Sequence, residues 1–248
     1  MSDNIFADLM LPEPHYHLEV GGGTHASQVG KVMMAYEDIC LNTERPDFLV
    51  VVGDVMMDSY ELLSSKIIEE NAPEKYNLQE KQYGVVTLHR PSNVDTKESL
   101  IPLVVCLNDI SEKLELIFAV HPRTKNSLDK FNFYNSLNDN KNIKLIDPIS
   151  YVPFMSLVRS AKVVITDSGG IQEETTYLDI PCITLRENTE RPITVTQGTN
   201  KLVTTQNLSE NVDKVLSDQW TKGTKPDFWD GQAALRIRDT IKTILKMQ

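Results

Sequence analysis

The sequence predicts an α/β fold built on a mostly parallel, Rossmann-like sheet, and three observations carry that prediction. From Gly84 onward, apolar β-branched runs alternate with segments of helical spacing. One such run, Val163-Val164-Ile165-Thr166, breaks at Asp167-Ser168-Gly169-Gly170 and restarts as Ile171-Gln172-Glu173-Glu174, which reads as a buried strand, a tight turn and a first helical turn. His, Arg or Asp also stands at five consecutive strand ends, where a parallel sheet with helices on both faces binds its ligands.

The elements follow in order. Residues 1–23 form an opening segment with Pro12, Pro14 and Gly21-Gly22-Gly23. Thr24 can cap a helix whose Val29, Val32, Met33, Tyr36 and Ile39 recur at helical spacing, and Arg45-Pro46-Asp47 ends it. Phe48–Val52 reads as a buried strand leading into Gly53-Asp54. A helix is expected from Asp58 to Glu70, before a polar stretch around Pro73. Strands are then expected at 84–89, 116–120, 143–147, 162–166 and 181–185, with helices near 97–113, 151–160, 169–178 and 207–217. Their ends carry His89-Arg90, His121-Pro122-Arg123, Asp147-Pro148, Asp167-Ser168 and Arg186. The last stretch is amphipathic, with Leu235, Ile237, Ile241, Ile244 and Leu245 on one helical face.

Composition narrows the class. With 40% apolar and 24% charged residues, the 248-residue chain can bury a sizeable core. A net charge of -10 argues against a nucleic-acid or anionic-membrane surface while leaving room for a local basic pocket. Cys40, Cys106 and Cys182 have no short-spaced pairing, so neither a disulfide framework nor a metal cluster is expected. No signal-like opening and no membrane-length apolar run is present, and a cytoplasmic location is the expectation.

The chemistry centres on the Ser-Gly-Gly turn. Gly169 and Gly170 leave backbone N–H groups open to a ligand, and the helix N-terminus favours an anion such as phosphate. Glu173 and Glu174 follow closely enough to offer a carboxylate to ribose hydroxyls. The competing reading is a turn that carries glycines only because the chain must turn. His121 fits a structural turn, and His15, His17 and His25 fit surface or loop positions.

Eight motifs in one order then point further: Leu11-Pro-Glu-Pro14, Pro46–Asp54, Val86-Thr-Leu-His-Arg-Pro-Ser-Asn93, His121-Pro-Arg-Thr124, Thr166–Glu174, Arg186-Glu-Asn-Thr-Glu-Arg-Pro192, Gly198-Thr-Asn200 and Asp230-Gly-Gln-Ala-Ala234. Together they resemble the non-hydrolysing UDP-N-acetylglucosamine 2-epimerases. The resemblance implies a GT-B-type architecture of two Rossmann-like domains facing a cleft. On this chain it divides the residues into a remnant of the N-terminal domain (1–57), a linker helix region (58–82), a C-terminal UDP-binding domain (83–229) and a crossover helix (230–248). Ser168, Gly169 and Gly170 would hold the diphosphate, Glu174 the ribose and Phe154 the uracil. His89 and Arg191 would approach the diphosphate, and Asp54 the sugar, with Asp54 and His89 as the catalytic pair. No cofactor and no metal is implied, the partner is a UDP-sugar, and a homodimer is compatible with the family.

The resemblance also departs from the family. It implies a first strand and a basic loop ahead of what is found here, so the N-terminal domain is expected to be incomplete. Val51-Val-Gly-Asp-Val55 runs directly into Met56-Met-Asp-Ser-Tyr60, joining two pieces that lie far apart in the family and share a Val-Gly-(Asp or Asn)-Val tetrapeptide. Two glutamates used near the sugar fall in that gap. The implied reaction inverts C2 of the sugar by eliminating UDP to a glycal and re-adding it, turning UDP-N-acetylglucosamine into UDP-N-acetylmannosamine for cell-surface polysaccharide precursors. Three readings stay open: an active epimerase, an inactive UDP-sugar-binding remnant, and a related GT-B glycosyltransferase.

Overall fold

A computed structural model describes residues 25–43 and 53–246. The strand expected at Phe48–Val52, the opening segment with Leu11–Pro14, and His15 and His17 lie outside the described residues. Helix α1 (His25–Asn42) agrees with the helical spacing that follows Thr24.

A six-stranded, all-parallel sheet organises the rest. Its strands are β1 (Tyr83–Thr87), β2 (Glu115–Ala119), β3 (Ile143–Ile146), β4 (Val163–Thr166), β5 (Cys182–Leu185) and β6 (Asn200–Val203), in the spatial order β3-β2-β1-β4-β5-β6. Five agree with the sequence expectation. The sixth, Asn-Lys-Leu-Val, escaped it because four residues with a polar start carry no alternation signal.

Side-chain alternation sends the strands' apolar residues to two cores, one on each face. Val86, Leu116, Phe118, Val163, Ile165 and Ile183 pack with α4 (Pro91–Val94), α5 (Lys97–Ser111), α6 (Pro122–Lys130), α7 (Tyr134–Asn138) and, later in the chain, α11 (Leu208–Leu216). Their intervening neighbours Val85, Ile117 and Val164 face the opposite core, with α2 (Val55–Glu70), α3 (Ala72–Lys75) and α8 (Tyr151–Ser160). Helix α9 (Gly169–Tyr177) continues β4, and the short α10 (Pro192–Thr196) precedes β6.

Proline sets several helix starts. Pro91, Pro122 and Pro192 each occupy the first turn, where a missing N–H costs nothing, and each holds the preceding Arg90, His121 or Arg191 out of the helix at the edge of the site. His121, expected in a turn, therefore caps a nine-residue helix, its Nδ1 accepting from the Arg123 N–H at 3.1 Å.

The segment before β1 is part of the same body. Helix α2 begins at Val55, three residues earlier than the spacing suggested, because Asp54 caps it by accepting from the Met56 N–H at 2.8 Å. It buries Met57, Tyr60, Leu63 and Ile67, the last three within the second core. Ser156 of α8 accepts from the Ala72 N–H at 3.0 Å, fixing α3 against the same face. Helix α12 (Ala233–Lys246) closes the chain, and the Asp58 carboxylate of α2 accepts from its first N–H groups, Ala233 at 3.0 Å and Ala234 at 2.6 Å. Leu235 and Ile241 remain exposed, so its apolar face is only partly covered. Among the described residues no helix is long and apolar enough to cross a membrane.

If α2 belongs to the sheet's own core, Ile67→Ala should destabilise the whole body by about 2–5 kcal/mol in one cooperative denaturant transition. Loss of α2 alone, with an unshifted transition for the sheet, would show that the segment is only a linker.

Candidate functional site

The strand order reverses between β1 and β4: the chain moves from β1 toward β3 on one side and from β4 toward β6 on the other. A crevice opens at the carboxyl ends of the two strands at such a point. His89 and Arg90 follow β1 there, and Asp167 and Ser168 follow β4.

Asp167 joins the two ends. Its side chain is fully buried, and its carboxylate accepts from the His89 N–H at 3.0 and 3.1 Å, the Arg90 N–H at 2.8 Å and Asn93 Nδ2 at 3.0 Å. His89 Nδ1 lies 3.1 Å from the same carboxylate, and Arg90 Nε donates to the Asp167 carbonyl at 2.8 Å. Burial alone would push this carboxyl up, but the His89, Arg90 and Asn93 donors outweigh it and hold it below the usual range. The contact with a carboxylate favours the tautomer that carries its proton on His89 Nδ1. The His121 ring lies 5.4 Å away, tilted by 37°, and burial, with the Arg123 charge adding to it, depresses its basicity.

The Ser-Gly-Gly turn has the form expected of an anion cradle. Thr166 Oγ1 accepts from the Ser168 N–H at 3.0 Å, and the Ser168 side chain makes no cap bond to α9. The first-turn N–H groups of Gly169 to Ile171 have no intrahelical acceptor by construction. Gln172 braces the turn from below. Its Nε2 donates to the Ser168 carbonyl at 3.0 Å, and its Oε1 accepts from Thr189 at 2.6 Å and Asn200 at 3.0 Å.

Three carboxyls gather beside the cradle. Glu174 is pushed up to about 7, chiefly by burial, with Glu173 and Asp54 adding like charge. The buried Tyr151 hydroxyl faces it without a well-formed hydrogen bond and only partly offsets that rise. Glu173 is also raised by burial and pairs with Arg191 Nε at 2.6 Å. Burial raises Asp54 as well, against the Met56 N–H and the Arg191 charge, and its Oδ2 is buried without a partner. Met56 lies against Gly170, close enough to meet an added methyl at 3.7 Å.

All the sequence-derived residues but Phe154 thus fall into one neighbourhood. Ser168, Gly169, Gly170 and His89 line the switch point; Glu174, Arg191 and Asp54 stand beside it; Phe154 sits half-buried on α8 at the rim of the second core. Sequence reasoning did not single out Glu190. Its carboxylate lies 2.6 Å from Arg186 and 3.5 Å from Arg90. The available signal was the i,i+4 spacing of Arg186 and Glu190 beside a glycine turn.

Known proteins place this geometry in context. A family model described as UDP-N-acetylglucosamine 2-epimerase matches residues 1–57 and 51–242, two pieces that overlap across the Val52-Gly-Asp-Val55 junction. A UDP-N-acetylglucosamine 2-epimerase of Methanocaldococcus jannaschii is 32% identical over 318 residues, covering 96% of this chain and 86% of the relative. Since that alignment is longer than the 248-residue chain, a stretch of the relative has no counterpart here. A Methanococcus maripaludis protein of the same name is 31% identical, over 87% of this chain and 81% of its own. The crystal structure of the M. jannaschii epimerase in complex with UDP-GlcNAc and UDP superposes with a TM-score of 0.70 at 31% identity, covering 97% of this chain and 88% of that one.

Glu174 gives a pH signature. Its folded value, about 7, lies above the ordinary 4.5, so the stability it contributes is full at acid pH and lost as pH rises through that window. Glu174→Gln should flatten that part of the pH dependence in urea titrations from pH 4.5 to 7.5; an unchanged profile would show that Glu174 ionises normally.

Proposed function

The chain belongs to the UDP-N-acetylglucosamine 2-epimerase family, and from that premise we propose that it holds a UDP-2-acetamido sugar at the β1–β4 switch point and inverts the sugar at C2. The observation that carries this reading is the Ser168–Gly170 turn, left uncapped by the Ser168 side chain, buttressed by Gln172 and opening at the same crevice as His89. The diphosphate takes the first-turn N–H groups of α9, where dipole and open donors act together. Glu174 meets the ribose and Phe154 stacks on the uracil.

The reaction is an elimination followed by an addition. A base takes the C2 proton while the C1–O bond breaks and UDP leaves with its electron pair, giving a glycal. The diphosphate oxygen then returns to C1 and a proton reaches C2 from the opposite face. His89 Nε2 faces the leaving diphosphate, with its other nitrogen held by Asp167. Asp54 is the proton carrier on one face of C2, supported by its partnerless, buried Oδ2 and its raised proton affinity, and a second carrier on the opposite face completes the inversion. Product for cell-surface polysaccharide precursors, a homodimeric state and a cytoplasmic setting extend the same reading on family grounds.

A second reading has its own support. The two-piece family match and the unmatched stretch of the relative leave Asp54 serving as the cap of α2, as expected of a chain that binds UDP-sugar without turning it over.

Two measurements decide between them. Ser168→Trp should weaken UDP binding at least about 100-fold by filling the cradle, whereas unaltered binding would place the nucleotide elsewhere. In deuterated water, NMR should show exchange at C2 of UDP-N-acetylglucosamine, and Asp54→Asn should slow it at least about 100-fold with UDP affinity kept within about threefold. UDP binding without C2 exchange in the unmodified chain would favour the remnant.

A further inference from the structure

Glu190 occupies ground that an anion would use. Its Oε1 stands over the first residue of α9 so closely that a methyl group on Gly169 would come within 2.5 Å of it. Glycine at that position is therefore what admits the carboxylate. Its Oε2 lies 2.6 Å from an Arg186 guanidinium whose side chain is only 8% exposed, and Arg90 approaches at 3.5 Å. Burial works against the charge, yet its own backbone N–H and the two arginines more than compensate and keep Glu190 ionised. A carboxylate, two guanidinium groups and the start of α9 are thus brought together.

The set is out of balance once a diphosphate arrives. Two anions cannot share the same helix N-terminus and the same arginines without strong like-charge repulsion. Arg186 would be left buried and unpaired if Glu190 simply vanished, at substantial cost, so in the free chain the carboxylate has a reason to be there. It also has somewhere to go. A cleft of about 530 Å³ opens beside it; Glu98 and Glu187 are part of its lining, but Ser92, Asn93 and Asn188 offer a displaced carboxylate polar groups while Arg90 and Arg186 offset the charge.

We propose that Glu190 is a displaceable internal counter-anion of the diphosphate site: it stands in for phosphate over Gly169 while the site is empty, and an incoming nucleoside diphosphate expels it and takes over Arg186 and Arg90. The inference rests on the nucleotide site proposed above and adds a residue that sets affinity for the diphosphate in particular. Its effect is to lower UDP affinity while keeping the arginines paired and oriented between turnovers, which eases release of a highly charged ligand.

Glu190→Gln tests this by calorimetric titration with UDP and uridine beside the unmodified chain and Ser168→Trp. Removing the competing charge while keeping the shape should tighten UDP binding about fivefold or more and leave uridine binding unchanged. A residue that merely braced the loop would give the opposite sign. Equal or weaker UDP binding in a folded Glu190→Gln overturns the proposal. Should that variant not fold, Glu190→Asp decides, because it keeps a charge for Arg186 but is one methylene short of Gly169: tighter UDP binding supports displacement, and equal or weaker binding overturns it. Failure of the unmodified chain to bind UDP, or binding that survives Ser168→Trp, overturns the nucleotide site itself and the present inference with it. UDP binding that Ser168→Trp abolishes and Glu190→Gln leaves unimproved overturns only the role of Glu190.

Discussion

The buried carboxylate of Asp167 is the constraint on which the rest of the site depends. Parallel strands bring their ends to one edge of a sheet, but they do not fix the loops that leave them. Here one fully buried side chain takes donors from His89, Arg90 and Asn93 after β1 while belonging to the turn after β4. A buried charge is tolerable only when it is fully hydrogen-bonded, so neither loop can move without uncovering it. The cradle of Ser168–Gly170 and the imidazole of His89 therefore keep a fixed relation before any ligand is present, which is the preorganisation that charge-stabilising catalysis needs.

That order extends outward from the turn. Gln172 links the Ser168 carbonyl to Thr189 and Asn200, so the turn, the Arg186–Pro192 loop and β6 form one connected network. Arg191 leans on Glu173, and Glu190 on Arg186, so the positive groups at the mouth are paired with carboxylates. In a chain of net charge -10, this clustering gathers positive groups locally, as the proposed anion site requires.

Much of this was legible in the sequence. The β-branched run into Asp-Ser-Gly-Gly marks both a central strand and the helix that follows it, whereas the helices opened by Arg90-Pro91 and His121-Pro122 carry too little periodic signal to be expected. What escaped was short or non-local. β6 is four residues with a polar start, and Asp58 caps a helix 175 residues away through a contact no spacing rule reveals. Asp167 could be seen at a strand end but not as the hub, because its partners come from a different strand. Glu190 looked like one acidic residue in a polar loop; only its position over Gly169 gives it a role.

The central claim is that the first turn of α9 at the switch point is the anion site around which the function is arranged. The most direct test is to follow backbone amide resonances of the unmodified, isotope-labelled chain during titration with UDP. The account predicts that the amides of Gly169, Gly170 and Ile171 shift most, with His89 following through Asp167. Largest shifts elsewhere, for example along β6 and Trp220, with the Gly169–Ile171 amides unmoved, would contradict it.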